Sequence, residues 1–520
     1  MSGLGGLCRS YLDVRWTFDP AQGTRAGNET SDALLPMLDA ESVRLQLATL
    51  RSLAGAVEDL VVDDDGEEID RTALLDDLRT TIFRFESEVP HRHDPAAWLR
   101  SVAQAWQSLL AHPGSVPEAR ALATLARLRG APAVLAAATA TLTAPAVLFV
   151  DEAVELVPGV ALLPDRLARL AASSRPEIAD QLESAAALAA DAVRGFGARL
   201  TSVTAPSADP AAFAVGEDEF DHRLHFEHAL HASAPELWRW GQRSIEEQAE
   251  VVVQAAGRVE GGADPRKLAL RLRHERPVGA DLQLDFLRAV ARARKFVDDR
   301  SLVVAPPGDV RLFDTPEFLR PIVPIAGYEA PTVVYLTPDP AIAREELVHA
   351  ALREVCPGRH LHRAHAAGLH SDVRRLLSTP VTVDGWALYA TDLMYRAGFA
   401  ESAEEEFFHQ LAMLRAIALV VVDVGLHTRG MTPSEAIAFL MDRLPVDQAA
   451  ALADVRRVAA WPTSGLAAAV GRREIVQLHD AWRARVGDEA PIKRFHQALL
   501  DFGGLPISLA RWGMDLGLDE

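Results

Sequence analysis

Apolar positions recur at helical spacing along most of the chain. Between residues 40 and 60, Leu45, Leu47, Leu50, Leu53 and Val57 mark one face, the pattern of an amphipathic helix. Residues 71–88 read the same way, and residues 117–203 predict Ala-rich helices broken near Pro158 and Pro164. Residues 1–30 carry no clear period and read as irregular, and 206–213 read as a linker. A helical stretch follows from Gly216 to Val259, and another over 281–297. The texture then changes. The runs 302–304, 310–313 and 332–336 are short, β-rich and separated by Pro and Gly, which predicts a small sheet. After it come an amphipathic helix from Arg344, a Pro357-Gly358 break, a second helix opening at Asp384, and a long one over 403–424. On that last helix Phe407, Leu411, Leu414, Ala418 and Val421 form the buried face. Thr432-Pro433-Ser434-Glu435 has the residues of a capped helix start, and more helix runs to about residue 500. The expectation is a mainly α fold with a small sheet, organised as an N-terminal helical region (1–205) and a helical core carrying the sheet (206–520), packed as one unit.

Composition narrows the functional classes. The 520 residues are 49% hydrophobic, enough for a sizeable core. With 73 acidic against 53 basic residues, the net charge of −20 argues against nucleic acid or an anionic membrane as main partner, since both need a basic surface. The apolar stretch 131–150 is interrupted by Pro132 and Pro145 and reads as core helix, and the first residues lack the basic-then-apolar order of a signal peptide. Two cysteines, Cys8 and Cys356, exclude a disulfide framework and fit a reducing compartment, so a cytoplasmic location is expected. Nothing sets the oligomeric state.

Candidate chemistry concentrates between Arg344 and His370, where His349, Glu354, His360, His362, His365 and His370 lie around the Pro-Gly break, with Asp384 on the next helix. A carboxylate facing a His/Glu helix is how zinc hydrolases of the H-E-x-x-H type hold their metal. Two other clusters carry less. Asp63 to Glu68 is acidic without calcium-loop spacing and reads as a solvated loop, and His91-Arg92-His93-Asp94-Pro95 reads as a polar turn.

These segments resemble the bacterial family called domain of unknown function 885, relatives of H-E-x-x-H carboxypeptidases. The family's core motif is H-E-x-x-P-G-H-H followed downstream by E-G-W-A; the chain reads Arg353-Glu354-Val355-Cys356-Pro357-Gly358-Arg359-His360, then Asp384-Gly385-Trp386-Ala387. Residues 420–427 are similar to the family's V-V-D-T-G-L-H, 299–321 to the segment before its core, and Phe495-His496 with 504–507 to its C-terminal tract. Where members carry P-x-Q-A-x-x-Y, this chain has Ser464 and Ala468 in place of Gln and Tyr. The resemblance implies a large helical metallopeptidase-like domain with a deep cleft and the sheet at its rim, where an edge strand could take extended substrate. It implies Glu354, His360, Asp384 and His427 as the catalytic set, and Arg353, Arg359, Asp423 and Trp386 as ligand-binding residues.

The metal ligands are the positions that changed. Arginine stays protonated in proteins and offers no lone pair to zinc. The leading reading is therefore a zinc-free relative with no metal and no cofactor, its arginines ion-paired to Glu354 and to Asp384 or Asp423, binding or transforming a small anionic or peptide-like ligand. A second reading shifts a zinc site onto His349, His360, His362 and His365. A third makes Cys356 a thiolate nucleophile beside His360, activated by Arg353 and Arg359.

Overall fold

The computed structural model describes residues 3–111, 116–202, 206–207, 209–279, 281–305, 308–338 and 341–517. The fold is mainly helical, with one three-stranded mixed sheet. The chain forms two compact units. The first comprises Met1–Val61, Leu78–Phe213 and Pro316–Phe318, and the second Val62–Asp77, Ala214–Thr315 and Leu319–Glu520.

In the first unit the long helices Pro117–Thr141 and Ala179–Ser202 pack on each other and on Leu163–Ser174. Its interior is crossed by Arg127, fully buried, whose guanidinium donates to the Leu34 and Ser31 carbonyls at 2.8 Å and to Thr24 Oγ1 at 2.9 Å. A buried cation persists only when its donors are satisfied in this way. The N-terminal stretch is not irregular: Leu4–Phe18 and Pro20–Arg25 are helices. Leu4, Cys8, Tyr11, Leu12 and Phe18 form the buried face, a period obscured in the sequence by Gly5, Gly6 and the intervening arginines. The His91 tract is a short helix, Pro90–His93. Asp94 Oδ1 then accepts the Ala97 N–H at 2.8 Å, opening the next helix.

In the second unit the acidic run is loop only at Asp63 and Asp64. Asp65–Phe83 is a helix, and Asp64 Oδ1 accepts the Glu67 N–H at 3.0 Å, so the acidic residues sit where the helix dipole favours them. The stretch from Gly216 divides into Glu217–Phe226 and Ala234–Val259, the latter opened by a Ser233/Glu236 capping box. Thr432 caps Pro433–Arg443 as its sequence predicts. Residues 302–304 form no strand. The sheet is β1 (Arg311–Asp314), β2 (Ala326–Glu329) and β3 (Val333–Leu336), in the order β1-β3-β2, with β3 parallel to β1 and antiparallel to β2. β3 is buried along its length, which explains its unbroken apolar sequence.

Helix Ala403–Thr428 forms the centre of this unit. It packs against Ala234–Val259 and against Arg344–Glu354. It and Pro117–Thr141 are long and apolar enough to cross a membrane by length and composition; 83% of its most apolar window is buried inside the fold, against 50% for the other. Helices Pro380–Arg396 and Ala467–Val486 cross so closely that a Cβ on Gly385 would lie 2.5 Å from the Gly471 Cα. That crossing fixes Asp384, next in sequence to Gly385.

Candidate functional site

The site begins at the end of helix Arg344–Glu354. The chain turns there so tightly that a Cβ on Gly358 would sit 1.8 Å from the Arg353 carbonyl oxygen, so only glycine fits. Trp386, on the neighbouring helix, donates its indole N–H to the Pro357 carbonyl at 2.9 Å. The reversal starts helix Arg359–Ala367 and brings Arg359, its first residue, back over Glu354.

Arg359 joins the two carboxylates. Its Nη1 is hydrogen-bonded to Glu354 Oε1, while Nε and Nη2 both reach Asp384 Oδ1 at 2.8 Å. Glu354 Oε2 accepts the Tyr328 backbone N–H at 2.9 Å, so both oxygens of Glu354 are engaged and edge strand β2 is tied to the site helix. Burial disfavours charge on Arg359, but Asp384 and Glu354 outweigh it and hold the guanidinium firmly protonated. Burial likewise works against the Asp384 carboxylate, and the charges of Arg359 and Arg353 reverse the balance, leaving its pKa below the usual range.

Arg353 behaves differently. Among the described residues its guanidinium makes no ion pair or hydrogen bond, and its Nε is sealed from solvent without a partner. Burial, then repulsion from Arg359, pull its pKa down to about 10, against the attraction of Glu354 and Asp384; it remains a cation at neutral pH. Of the two arginines expected to meet carboxylates, Arg359 does and Arg353 does not.

The other expected site residues lie elsewhere. His360 turns its ring to Tyr328, 5.5 Å between centroids, with Arg294 and Asp309 as its charged neighbours. Trp386 is buried against His496 at 5.4 Å and supports the break. Asp423 and His427 are adjacent, 4.0 Å apart, but make no ion pair with Arg353 or Arg359. Asp423 accepts the N–H groups of Thr463 and Leu466 at 3.1 and 3.0 Å, and burial pushes it up to about 7. His427 Nε2 meets the Val458 carbonyl at 3.0 Å, and burial lowers its pKa to about 4. Asp423 thus braces the 462–466 turn, after which Ala468 packs on Leu388 and Met413. Apolar contact stands where the resemblance places a polar Tyr.

Sequence reasoning missed Tyr328, Arg415, Asp454 and Arg457. Asp454 is paired with Arg415 at 2.7 Å and with Arg457 at 3.3 Å; Arg415 also acts on Arg353, and Arg457 on Asp384. Arg415, a lone cation inside the apolar helix 403–428, was the available signal.

Neither alternative chemistry assembles. His362 is bonded to the Gly503 carbonyl at 3.0 Å and His365 to Asp501 at 3.0 Å. His349 clusters with Tyr395 and His409, its ring tilted against theirs at 6.3 and 5.6 Å between centroids. Among the described residues no three His, Cys, Asp or Glu side chains are grouped to hold a metal. Cys356 is 3% exposed, and burial pushes its thiol up to about 12; its charged neighbours are Arg294 and Asp298 rather than the two site arginines. With Cys8 also fully buried, a thiol reagent such as Ellman's should label neither cysteine of the native protein and both after unfolding. One fast equivalent, lost in Cys356→Ser, would reinstate the nucleophile.

The profile of a family described as bacterial proteins of unknown function matches residues 20–514. The chain belongs to that family, DUF885. No curated protein matches the chain. Two solved structures share its fold over nearly the full length. One is described as "a putative lipoprotein of unknown function from Shewanella oneidensis", 19% identical, with a TM-score of 0.77 over 99% of this chain and 100% of that one. The other is "the putative lipoprotein from Colwellia psychrerythraea", 15% identical, with a TM-score of 0.82 over 99% of both chains. Arg353, Arg359 and Asp384, three of the positions at which the chain departs from the motifs it resembles, are gathered around Glu354.

Proposed function

We propose that this DUF885 protein binds a small anionic or peptide-like ligand at a centre that holds no zinc. The carrying observation is Arg359, whose guanidinium joins Glu354 and Asp384. A zinc ion there would need Arg353 and Arg359 as ligands, and neither can donate a lone pair. The residues do not fit the metal, so no hydrolytic step is assigned through it. Hydrolysis also lacks a second group: Ala468 offers no hydroxyl to polarise a carbonyl. What remains is a cationic receptor, Arg353, set against an ion-paired floor, and planar guanidinium is well matched to carboxylate. Two buried cysteines that form no disulfide agree with a reducing compartment. The lipoprotein descriptions of the two solved relatives point instead to the cell envelope, and cell fractionation separates these.

Elemental analysis of protein purified without chelator is the test. It should find no stoichiometric zinc. One zinc per chain, lost on mutation of His349 or His360, would overturn the reading in favour of a shifted metal site.

A further inference from the structure

A cavity of about 160 Å³ lies in the second unit, bounded by the segment 229–232, by Glu474 on helix Ala467–Val486, and by Ile507 and Arg511 on the last helix, Ile507–Gly513. None of Arg353, Glu354, Arg359 and Asp384 lines it. Its walls are held from behind. His228 is buried and bonds Thr379 Oγ1 through Nδ1 and Thr463 Oγ1 through Nε2, the latter at 2.9 Å. The Leu230 N–H donates to the Leu224 carbonyl at 2.9 Å. On the opposite wall the Thr382 hydroxyl donates to the Leu505 carbonyl at 2.7 Å, just before Ile507. Walls fixed in this way make a pre-formed pocket, the usual state of a small-molecule site.

The lining sorts into two opposite charges and an apolar remainder. Glu474 and Arg511 are partly exposed, so solutes can reach both. Arg473, stacked over the Trp240 ring at 4.9 Å, donates to Glu474 Oε1 from Nε at 3.1 Å and from Nη2 at 2.8 Å. That fixes the Glu474 carboxylate, whose Oε2 accepts no hydrogen bond among the described residues. Arg511 brings a planar fork of N–H donors, which matches the two oxygens of a carboxylate. Ala229, Leu230, Ala232 and Ile507 present apolar side chains. A simple cation would meet the charge of Arg511, and a simple anion that of Glu474. A molecule that carries both charges suits both walls. The volume sets its size: a protein cavity of about 150 Å³ holds benzene, with about six non-hydrogen atoms, as many as alanine has.

We propose that this cavity binds a free α-amino acid with a short aliphatic side chain. Its carboxylate meets Arg511, its ammonium meets Glu474, and its side chain lies against Leu230 and Ile507. The site is separate from the centre around Glu354 and does not depend on the function proposed for that centre.

The test is calorimetric titration of the full-length protein at neutral pH with l-alanine, followed by competition with sodium propionate, ethylamine hydrochloride and l-phenylalanine. Alanine should bind at one site per chain. Propionate lacks the ammonium, ethylamine lacks the carboxylate, and the phenylalanine ring overfills the cavity, so each should compete at least tenfold more weakly than alanine itself. Arg511→Gln and Glu474→Gln, both at partly exposed positions, should each weaken alanine binding at least tenfold with an unchanged circular dichroism spectrum. No binding of alanine to the wild-type protein would overturn the proposal, and this measurement needs no variant to fold. Equal competition by propionate or ethylamine would overturn the zwitterion assignment, and equal competition by phenylalanine the assignment to this cavity. Alanine binding unchanged in either folded variant would also place the amino acid elsewhere.

Discussion

Arg359→Met should destabilise the protein by about 3–5 kcal/mol at neutral pH, the usual cost of removing one partner from a buried ion pair. The side chains concerned are 20% (Arg359), 5% (Glu354) and 28% (Asp384) exposed, so solvent can screen the Asp384 end but hardly the Glu354 end. The methionine fills similar volume, so the loss is electrostatic rather than a cavity. Its pH dependence separates it from a packing defect. In the wild-type protein the Asp384 carboxyl lies below its ordinary range because the arginine charges outweigh burial. Such a group stabilises the fold above its unfolded pKa, about 3.9, and that contribution is lost as pH falls through the folded value. Without Arg359, burial dominates and the sign reverses: the folded pKa rises above the unfolded one, and stability falls as pH climbs through it. The gap between variant and wild type should therefore be full by pH 7.5, narrow toward pH 4 as the acids of the variant take up protons, and close only below that, where wild-type Asp384 is protonated too; urea midpoints at pH 7.5 and 4 read the narrowing. A gap that is constant with pH, or widest at pH 4, would show that Arg359 acts through packing.

The helices of this site were legible because their apolar periods are strong. Arg344–Glu354, Pro380–Arg396 and Ala403–Thr428 fall where the pattern predicts them, to within a few residues. The pairing of Arg359 with Glu354 and Asp384 was legible too, because two cations beside two carboxylates in a closed site must find counter-charges. The unpaired state of Arg353 was not. It depends on the reversal at Gly358, where the backbone closes on the Arg353 carbonyl and leaves Arg359 alone within reach of both acids. His360 was misjudged for the same reason. It follows Arg359 directly on a new helix, and one residue of helical rotation, about 100° from 3.6 residues per turn, carries its ring away from the acids toward Tyr328. Tyr328 itself was missed because β2 reads Ala-Gly-Tyr-Glu, too short and too glycine-marked to announce a strand. Its backbone N–H on Glu354 is a backbone contact, which side-chain pattern does not encode.

Histidine at both arginine positions should convert the centre into a zinc site. In Arg353→His/Arg359→His two cations are replaced by two neutral imidazoles, each able to donate a nitrogen lone pair at about 2.0–2.1 Å. The positions are suitable: residue 359 already bonds to both Glu354 and Asp384, and residue 353 is close enough to feel both acids and Arg359. Without metal the double variant should be less stable than wild type, since Glu354 and Asp384 lose their shared counter-charge. With zinc at a hundredfold excess over its dissociation constant, binding to the folded state alone returns about 2.7 kcal/mol, visible as a rise in Tm that chelator reverses. Adding Asp384→Glu lengthens the carboxylate by one methylene toward the ion and should tighten binding further, while wild type shows no zinc-dependent shift under the same conditions. A double variant that folds, melts as wild type does and ignores zinc would mean that residues 353, 359 and 384 do not converge on one point, and the centre would then be neither a lost metal site nor the receptor assigned to it here.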